Sequence, residues 1–214
     1  MKKIRTVVLI SGSGSNLQAL IDASAAPDYP AEVVAVISNR ANVFGLVRAQ
    51  NHGIPTEVLD HTSFASREMF DAGLQQLIDS YAPNLVVLAG FMRILTPGFV
   101  NHYLGRMFNI HPSLLPLYPG LHTHRRAIEA GDAVHGATVH FVTAELDGGP
   151  AVIQASVPIE AGDTEESLAQ RVLTKEHIIY PLAVRWFAEG KLVLEEGKAF
   201  FEGKLLPAEG VQIS

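Results

Sequence analysis

Two side chains suited to acyl chemistry stand two residues apart in the run Phe108-Asn109-Ile110-His111-Pro112. On a β-strand successive side chains alternate, so Asn109 and His111 share one face and Ile110 turns to the other, into the core. An amide donor beside an imidazole can hold a developing oxyanion, and the imidazole can also move protons. Pro112 cannot continue a regular ladder, so the pair sits at a strand end, where open α/β sheets place their ligands. The plain alternative is a histidine that caps a strand end.

A carboxylate for that histidine is offered by Glu145-Leu146-Asp147-Gly148-Gly149-Pro150. A partner of this kind favours the cationic ring and fixes its orientation. Gly and Pro also make turns, and Asp147 before two glycines could form a simple Asx turn. A third group is the loop Ser11-Gly12-Ser13-Gly14-Ser15-Asn16. Its glycines allow close backbone approach, and N–H groups at a helix start attract anions, so it is a candidate phosphate site. It lacks the GK[ST] of a Walker loop, and Leu17 takes the third glycine position of a dinucleotide fingerprint. Without a ligand it reads as a tight strand-to-helix turn capped by Ser15 or Asn16.

Other chemistries find less support. The chain has no cysteine, which removes thiol nucleophiles, disulfides and cysteine-ligated metals. His122, His124, His135 and His140 raise the thought of zinc, but there is no HExxH pair, and no catalytic metal is expected. A G-x-S-x-G elbow is also missing.

The elements that must position these groups alternate between strand and helix. Val7 to Ile10, Glu32 to Ser38, the short TEVLD run and Leu85 to Ala89 read as strands, mostly apolar. Between them lie a helix from Asn16, a short helix ending at Gly53, and an amphipathic helix from Ser66 to Tyr81. The last carries Met69, Phe70, Leu74, Leu77 and Ile78 on one side. Continuous apolar strands between helices imply a parallel sheet covered on both faces. Arg106 to His111 is a fifth strand. Ala137 to Val142 and Val152 to Val157, close in sequence, suggest an antiparallel pair. Thr164 opens a long helix, and the pieces KLVLEEG and KAFFEGKLL suggest a final hairpin. The fold class expected is α/β: a mostly parallel twisted sheet, helices on both faces, antiparallel strands in the C-terminal half. With no repeat and no linker, residues 1–214 read as one domain.

With 214 residues the chain can bury a substantial core unaided. At 48% hydrophobic and 18% charged residues, it falls outside the disordered class. A formal charge of −6 with no basic run argues against nucleic-acid binding. The apolar run after Lys2 and Lys3 is too short for a signal peptide, and no stretch reaches membrane-span length, so a cytoplasmic location with no membrane partner is expected.

The runs SGSGSNLQALID, FMRILTPGFV, MFNIHPSLLPLYPG and HGATVHFVTAELDGGPAVIQ together resemble the phosphoribosylglycinamide formyltransferases, in the folate-dependent formyltransferase superfamily. The resemblance covers nearly the whole chain. It implies a 10-formyltetrahydrofolate donor, a glycinamide ribonucleotide acceptor and no metal. It places Asn109, His111 and Asp147 as the catalytic trio, and Gly14, Ser15 and Asn16 as the ribonucleotide-phosphate loop. Met92, Arg93, Ile94 and Leu95 would line the folate pocket, with Thr143, Ala144, Glu145, Leu146 and Asp147 as a second wall. Arg67 would be the folate-side arginine, and Glu176 the carboxylate near the glycinamide. The C-terminal half would bind folate and the N-terminal half the nucleotide. Methionyl-tRNA formyltransferases share the trio but carry a further tRNA-binding domain, and formyltetrahydrofolate hydrolases a further regulatory one. A phosphate-binding module without catalysis would have no use for the trio.

Overall fold

The computed structural model describes residues 2–214. The chain forms two compact units, Met1–Phe108 and Asn109–Ser214.

In the first unit β1 (Ile4–Ile10) has both faces covered, with Val7 to Ile10 fully buried. It pairs in parallel with β2 (Ala31–Ser38) on one side and β4 (Leu85–Leu88) on the other, and β3 (Thr56–Val58) pairs in parallel with β2. Burial on two faces is why these strands read as unbroken apolar runs rather than alternating ones. The helices are α1 (Ser15–Ser24), α2 (Phe44–Asn51), α3 (Arg67–Ser80) and α4 (Pro97–His102). Ser66 caps α3, its hydroxyl accepting from Met69 N–H at 3.1 Å, while Thr96 and Pro97 open α4.

The expected apolar stripe of α3 needs one correction. Phe70, Leu74 and Ile78 are buried, but Met69 is 56% exposed and Asp71 is buried instead. Asp71 lies on the inner face because its Oδ2 accepts from the Thr96 N–H at 2.7 Å. A buried acceptor for an otherwise orphaned backbone donor outweighs the apolar preference of that face.

The second unit begins inside β5 (Met107–His111). After α5 (Thr123–Ala130), strands β6 (Val134–Phe141) and β7 (Ala151–Pro158) form the antiparallel pair that their short connection suggested. The long helix α6 (Glu165–Ala188) starts with a reciprocal capping box between Thr164 and Ser167. The tail holds β8 (Leu192–Glu195), β9 (Lys198–Phe201) and β10 (Lys204–Leu205), a small antiparallel sheet, with Trp186 of α6 against Phe201. A last strand, β11 (Val211–Ile213), pairs in parallel with β7. The mostly parallel α/β fold expected from the sequence is the fold observed. Helices α4 and α5 and strand β11 were not anticipated. All three are short, so their periodicity is weak.

Candidate active site

All three residues of the expected trio lie in the second unit. Asn109 and His111 sit on β5 with Ile110 buried between them on the opposite face. Their side chains meet different partners. Asn109 Nδ2 is 3.4 Å from His140 Nε2 on β6. His140 is buried, and burial lowers its pKa, so the ring is neutral. Its Nδ1 lies 3.0 Å from the Phe141 carbonyl, which can only accept. The proton therefore resides on Nδ1, and Nε2 accepts from the Asn109 amide. A fixed acceptor on one amide hydrogen orients the whole carboxamide and leaves its second N–H free of that constraint.

His111 Nε2 faces the Tyr118 carbonyl at 2.7 Å, and Nδ1 faces Asp147 Oδ2 at 3.6 Å. Both side chains are over nine-tenths buried. The carbonyl is within hydrogen-bond reach of the ring, and the carboxylate oxygen stands just beyond it. Asp147 is not an Asx turn. Its Oδ2 accepts from the Gly120 N–H at 2.9 Å, a residue far along the chain. The backbone is unusual at these contacts. Tyr118, His122 and Asp147 all have positive φ, a conformation that costs free energy in non-glycine residues and clusters at functional sites.

The loop from Pro112 to His122 is held by its own polar contacts. Ser113 Oγ donates to the Leu117 carbonyl at 2.5 Å and Thr123 Oγ1 to the Pro112 carbonyl at 2.5 Å. Arg126 donates to the Pro119 carbonyl at 2.7 Å and covers the Tyr118 ring. Thr138 on β6 donates to the Ser113 carbonyl at 2.7 Å. Thr143, Ala144, Glu145 and Leu146 lie on the β6–β7 connection that carries Asp147, and Leu146 is exposed, as are Leu117 and Leu121. Glu176 is buried on α6, beside Tyr180, whose hydroxyl pKa is pushed up by burial and then by Glu176.

The remaining expected residues fall in the first unit. Gly14 caps α1 with φ +73°, and no side chain caps this helix, so the expected Ser15 or Asn16 cap is not formed. A Cβ on Gly14 would come within 2.7 Å of Gly45 Cα, so the close glycine contact lets α2 approach the loop. Arg48 of α2 donates from Nε to the Ser13 carbonyl at 2.7 Å, placing a cation beside the loop. Helix-start N–H groups, a flexible glycine backbone and a nearby guanidinium suit an anion. Met92 and Ile94 expose their side chains, whereas Arg93 lays its guanidinium over Phe70 at 5.5 Å. Arg67 opens α3 and is exposed.

Sequence reasoning missed His140, Tyr118, Gly120 and Arg48 as members of these sites. The sequence offers His140 only as a conceivable metal ligand, although the alternation of β6 sets it on one face with Thr138. His124 and His135 pair with each other, Nδ1 to Nε2 at 3.2 Å. Burial is the main cause that holds His135 down at about 4. Among the described residues no group of three or more His, Cys, Asp or Glu could hold a metal ion, and no helix is long and apolar enough to cross a membrane.

Phosphoribosylglycinamide formyltransferase of Escherichia coli is 58% identical over 204 residues, covering 95% of this chain and 96% of that protein. The human trifunctional purine biosynthetic protein adenosine-3 is 46% identical over 198 residues, 92% of this chain and 20% of that protein. The structure of phosphoribosylglycinamide formyltransferase from Coxiella burnetii superposes with a TM-score of 0.96 at 51% identity, over 100% of both chains. Glycinamide ribonucleotide transformylase 1 from Symbiobacterium toebii gives 0.90 at 47% identity, over 93% of this chain and 94% of that one. The formyl transferase model matches residues 4–184, and the chain belongs to the formyl transferase family.

Proposed function

We propose that this enzyme transfers a formyl group from 10-formyltetrahydrofolate to the amine of glycinamide ribonucleotide, a step of purine biosynthesis, with Asn109, His111 and Asp147 at the reacting centre. The observation that carries this reading is the arrangement of the trio. A carboxamide is oriented by a neutral histidine, and a buried imidazole stands against a buried carboxylate. The phosphate falls to Gly14, Ser15 and Asn16, with Arg48 beside them. The folate falls to Met92 to Leu95, Arg67 and the Thr143 to Asp147 loop, and Glu176 serves the acceptor amine. Residues 1–214 act as one catalytic domain in the cytoplasm, on small-molecule substrates, without nucleic acid.

The acceptor amine adds to the formyl carbon, and the carbonyl electrons move onto oxygen. Asn109 donates an N–H to that oxyanion, and His111 supplies positive charge and a proton donor. His111 must then exchange the Tyr118 carbonyl for the substrate oxygen, or share the N–H between them. Asp147 holds the ring and stabilises its charge. Collapse of the adduct breaks the bond to the folate nitrogen, which takes the proton that the amine gives up. Holding two substrates in register supplies much of the acceleration. No step is assigned to a metal or to a covalent enzyme intermediate.

Mixing the protein with 10-formyl folate and glycinamide ribonucleotide, and following folate absorbance, tests the reading. Turnover that requires the ribonucleotide is expected. Release of formate without an acceptor, or turnover only with an aminoacyl-tRNA, overturns it.

A further inference from the structure

Four polar groups of the first unit form a one-way hydrogen-bond chain. Ser11 Oγ accepts from the Met92 N–H at 2.8 Å and donates to Asn39 Oδ1 at 2.5 Å. Asn39 Nδ2 lies 3.2 Å from His61 Nδ1. Ser11 is 4% exposed and Asn39 2%. The directions follow from the donors available. A backbone amide can only donate, so the Ser11 oxygen accepts, and its single hydrogen goes to Asn39. That fixes the Asn39 amide with its NH2 group toward His61.

The chain is placed where the regular ladder stops. Ala89 N–H still bonds to the Leu9 carbonyl at 2.9 Å, but Gly90 then turns with φ +72° and the backbone leaves the sheet. The segment from Phe91 to Leu95 belongs to no strand or helix. It is pinned at its two ends by buried side chains instead: Ser11 holds the Met92 amide, and Asp71 holds the Thr96 amide at 2.7 Å. Ser11 is also the first residue of the loop that leads to Gly14 and Ser15. An apolar pair at positions 11 and 39 would fill the space without the cost of burying polar groups. It would leave the Met92 donor unmet.

We propose that Asn39 is a positioning residue. Through the Ser11 hydroxyl it fixes the Met92 amide, and so sets the exposed face of residues 92–95 in register with the start of the Gly14–Asn16 loop. The inference rests on assigning residues 92–95 to folate and the loop to the ribonucleotide. Asn39 touches neither substrate, and acts through Ser11.

The test compares Asn39→Leu, Asn39→Asp and the milder Ser11→Ala in the full chain, by amide hydrogen exchange and by kinetics. Loss of a buried hydrogen bond of this kind corresponds to about a tenfold change. In Asn39→Leu and Ser11→Ala the Met92 amide exchanges about tenfold faster, the formyl-folate KM rises by about the same factor and kcat falls, while ribonucleotide Kd stays within about threefold. Asn39→Asp keeps the Oδ1 acceptor for the Ser11 hydroxyl, so it restores Met92 protection and most of the folate affinity. Wild-type exchange at Met92 in Asn39→Leu and Ser11→Ala overturns the proposal. Equal weakening of both substrates in step with lost Tm overturns it too, as does failure of the aspartate to rescue. Exchange at Met92 is read without substrates, so a wild-type protein that fails to transfer formyl groups would sink the assigned function and leave this result readable by itself.

Discussion

Replacing Asp147 by asparagine tests the electrostatics of the trio with little change in shape. The amide oxygen can still accept from the Gly120 N–H, so the loop that Asp147 anchors keeps its contact. What disappears is a negative charge 3.6 Å from His111 Nδ1, in a pair whose side chains are more than nine-tenths buried. At an effective dielectric near 20 the attraction at that distance is about 5 kcal/mol. Part of it is recovered by the neutral amide dipole and by solvent. A loss of about 3 to 4 kcal/mol in the transition state then remains, or roughly 10²- to 10³-fold in kcat. The KM of each substrate should move by less than about threefold, because the charge matters most once the oxyanion exists. Initial rates of formyl-folate consumption under saturating ribonucleotide measure this directly. Combining Asp147→Asn with His111→Ala should cost little more than His111→Ala alone, since the carboxylate acts through the ring. A kcat within about threefold of wild type, or fully additive losses, would refute the coupling and return Asp147 to a purely structural turn.

Gly14→Ala meets two obstacles, a φ of +73° and a Cβ 2.7 Å from Gly45 Cα. Its cost is about 2 kcal/mol or more, seen as a lower Tm, and the ribonucleotide KM should rise well ahead of that of folate; equal changes for both substrates would argue against a phosphate role for the loop. His140→Leu removes the acceptor that orients Asn109, so kcat should fall about tenfold with little change in either KM; an unaltered kcat would mean that Asn109 is positioned by other contacts. His135 has its pKa depressed from 6.5 to about 4, chiefly by burial, with His124 adding to it. The unfolded chain therefore binds a proton that the folded one refuses, and this contribution to stability is complete above pH 6.5 and is lost as pH falls toward 4. The loss is roughly 3 kcal/mol, read as the difference between wild type and His135→Gln in urea titrations across that range; parallel curves would show that the pair does not carry it.

Much of the frame was legible in the sequence because one force shaped it. Runs such as Val7 to Ile10 and Leu85 to Leu88 are buried on both faces, and that burial writes itself as uninterrupted apolar residues. The pair Asn109 and His111 was legible for a related reason: the strand period of two fixes which side chains share a face, whatever the rest of the fold does. Where polar satisfaction decided the outcome, pattern reading failed. Asp71 occupies an inner position of α3 because a backbone amide at Thr96 needs an acceptor, and neither residue advertises the other across the intervening chain.

The same limit explains the site residues that were missed. His140 acts through its tautomer, which depends on the Phe141 carbonyl lying opposite Nδ1 and on burial that keeps the ring neutral. Tyr118 and Gly120 take part with backbone atoms, so side-chain type carries almost no information about them. The sequence offers Asp147 as a carboxylate partner for His111, yet the glycine turn does not reveal that its oxygen also accepts from the Gly120 N–H. The sequence shows which groups are able to do acyl transfer. Which of them are held, and in which protonation state, is decided by contacts between segments that share no local pattern. The substitutions most informative about mechanism are therefore at His140, Asn39 and Asp147, where one side chain sets the orientation or charge of another.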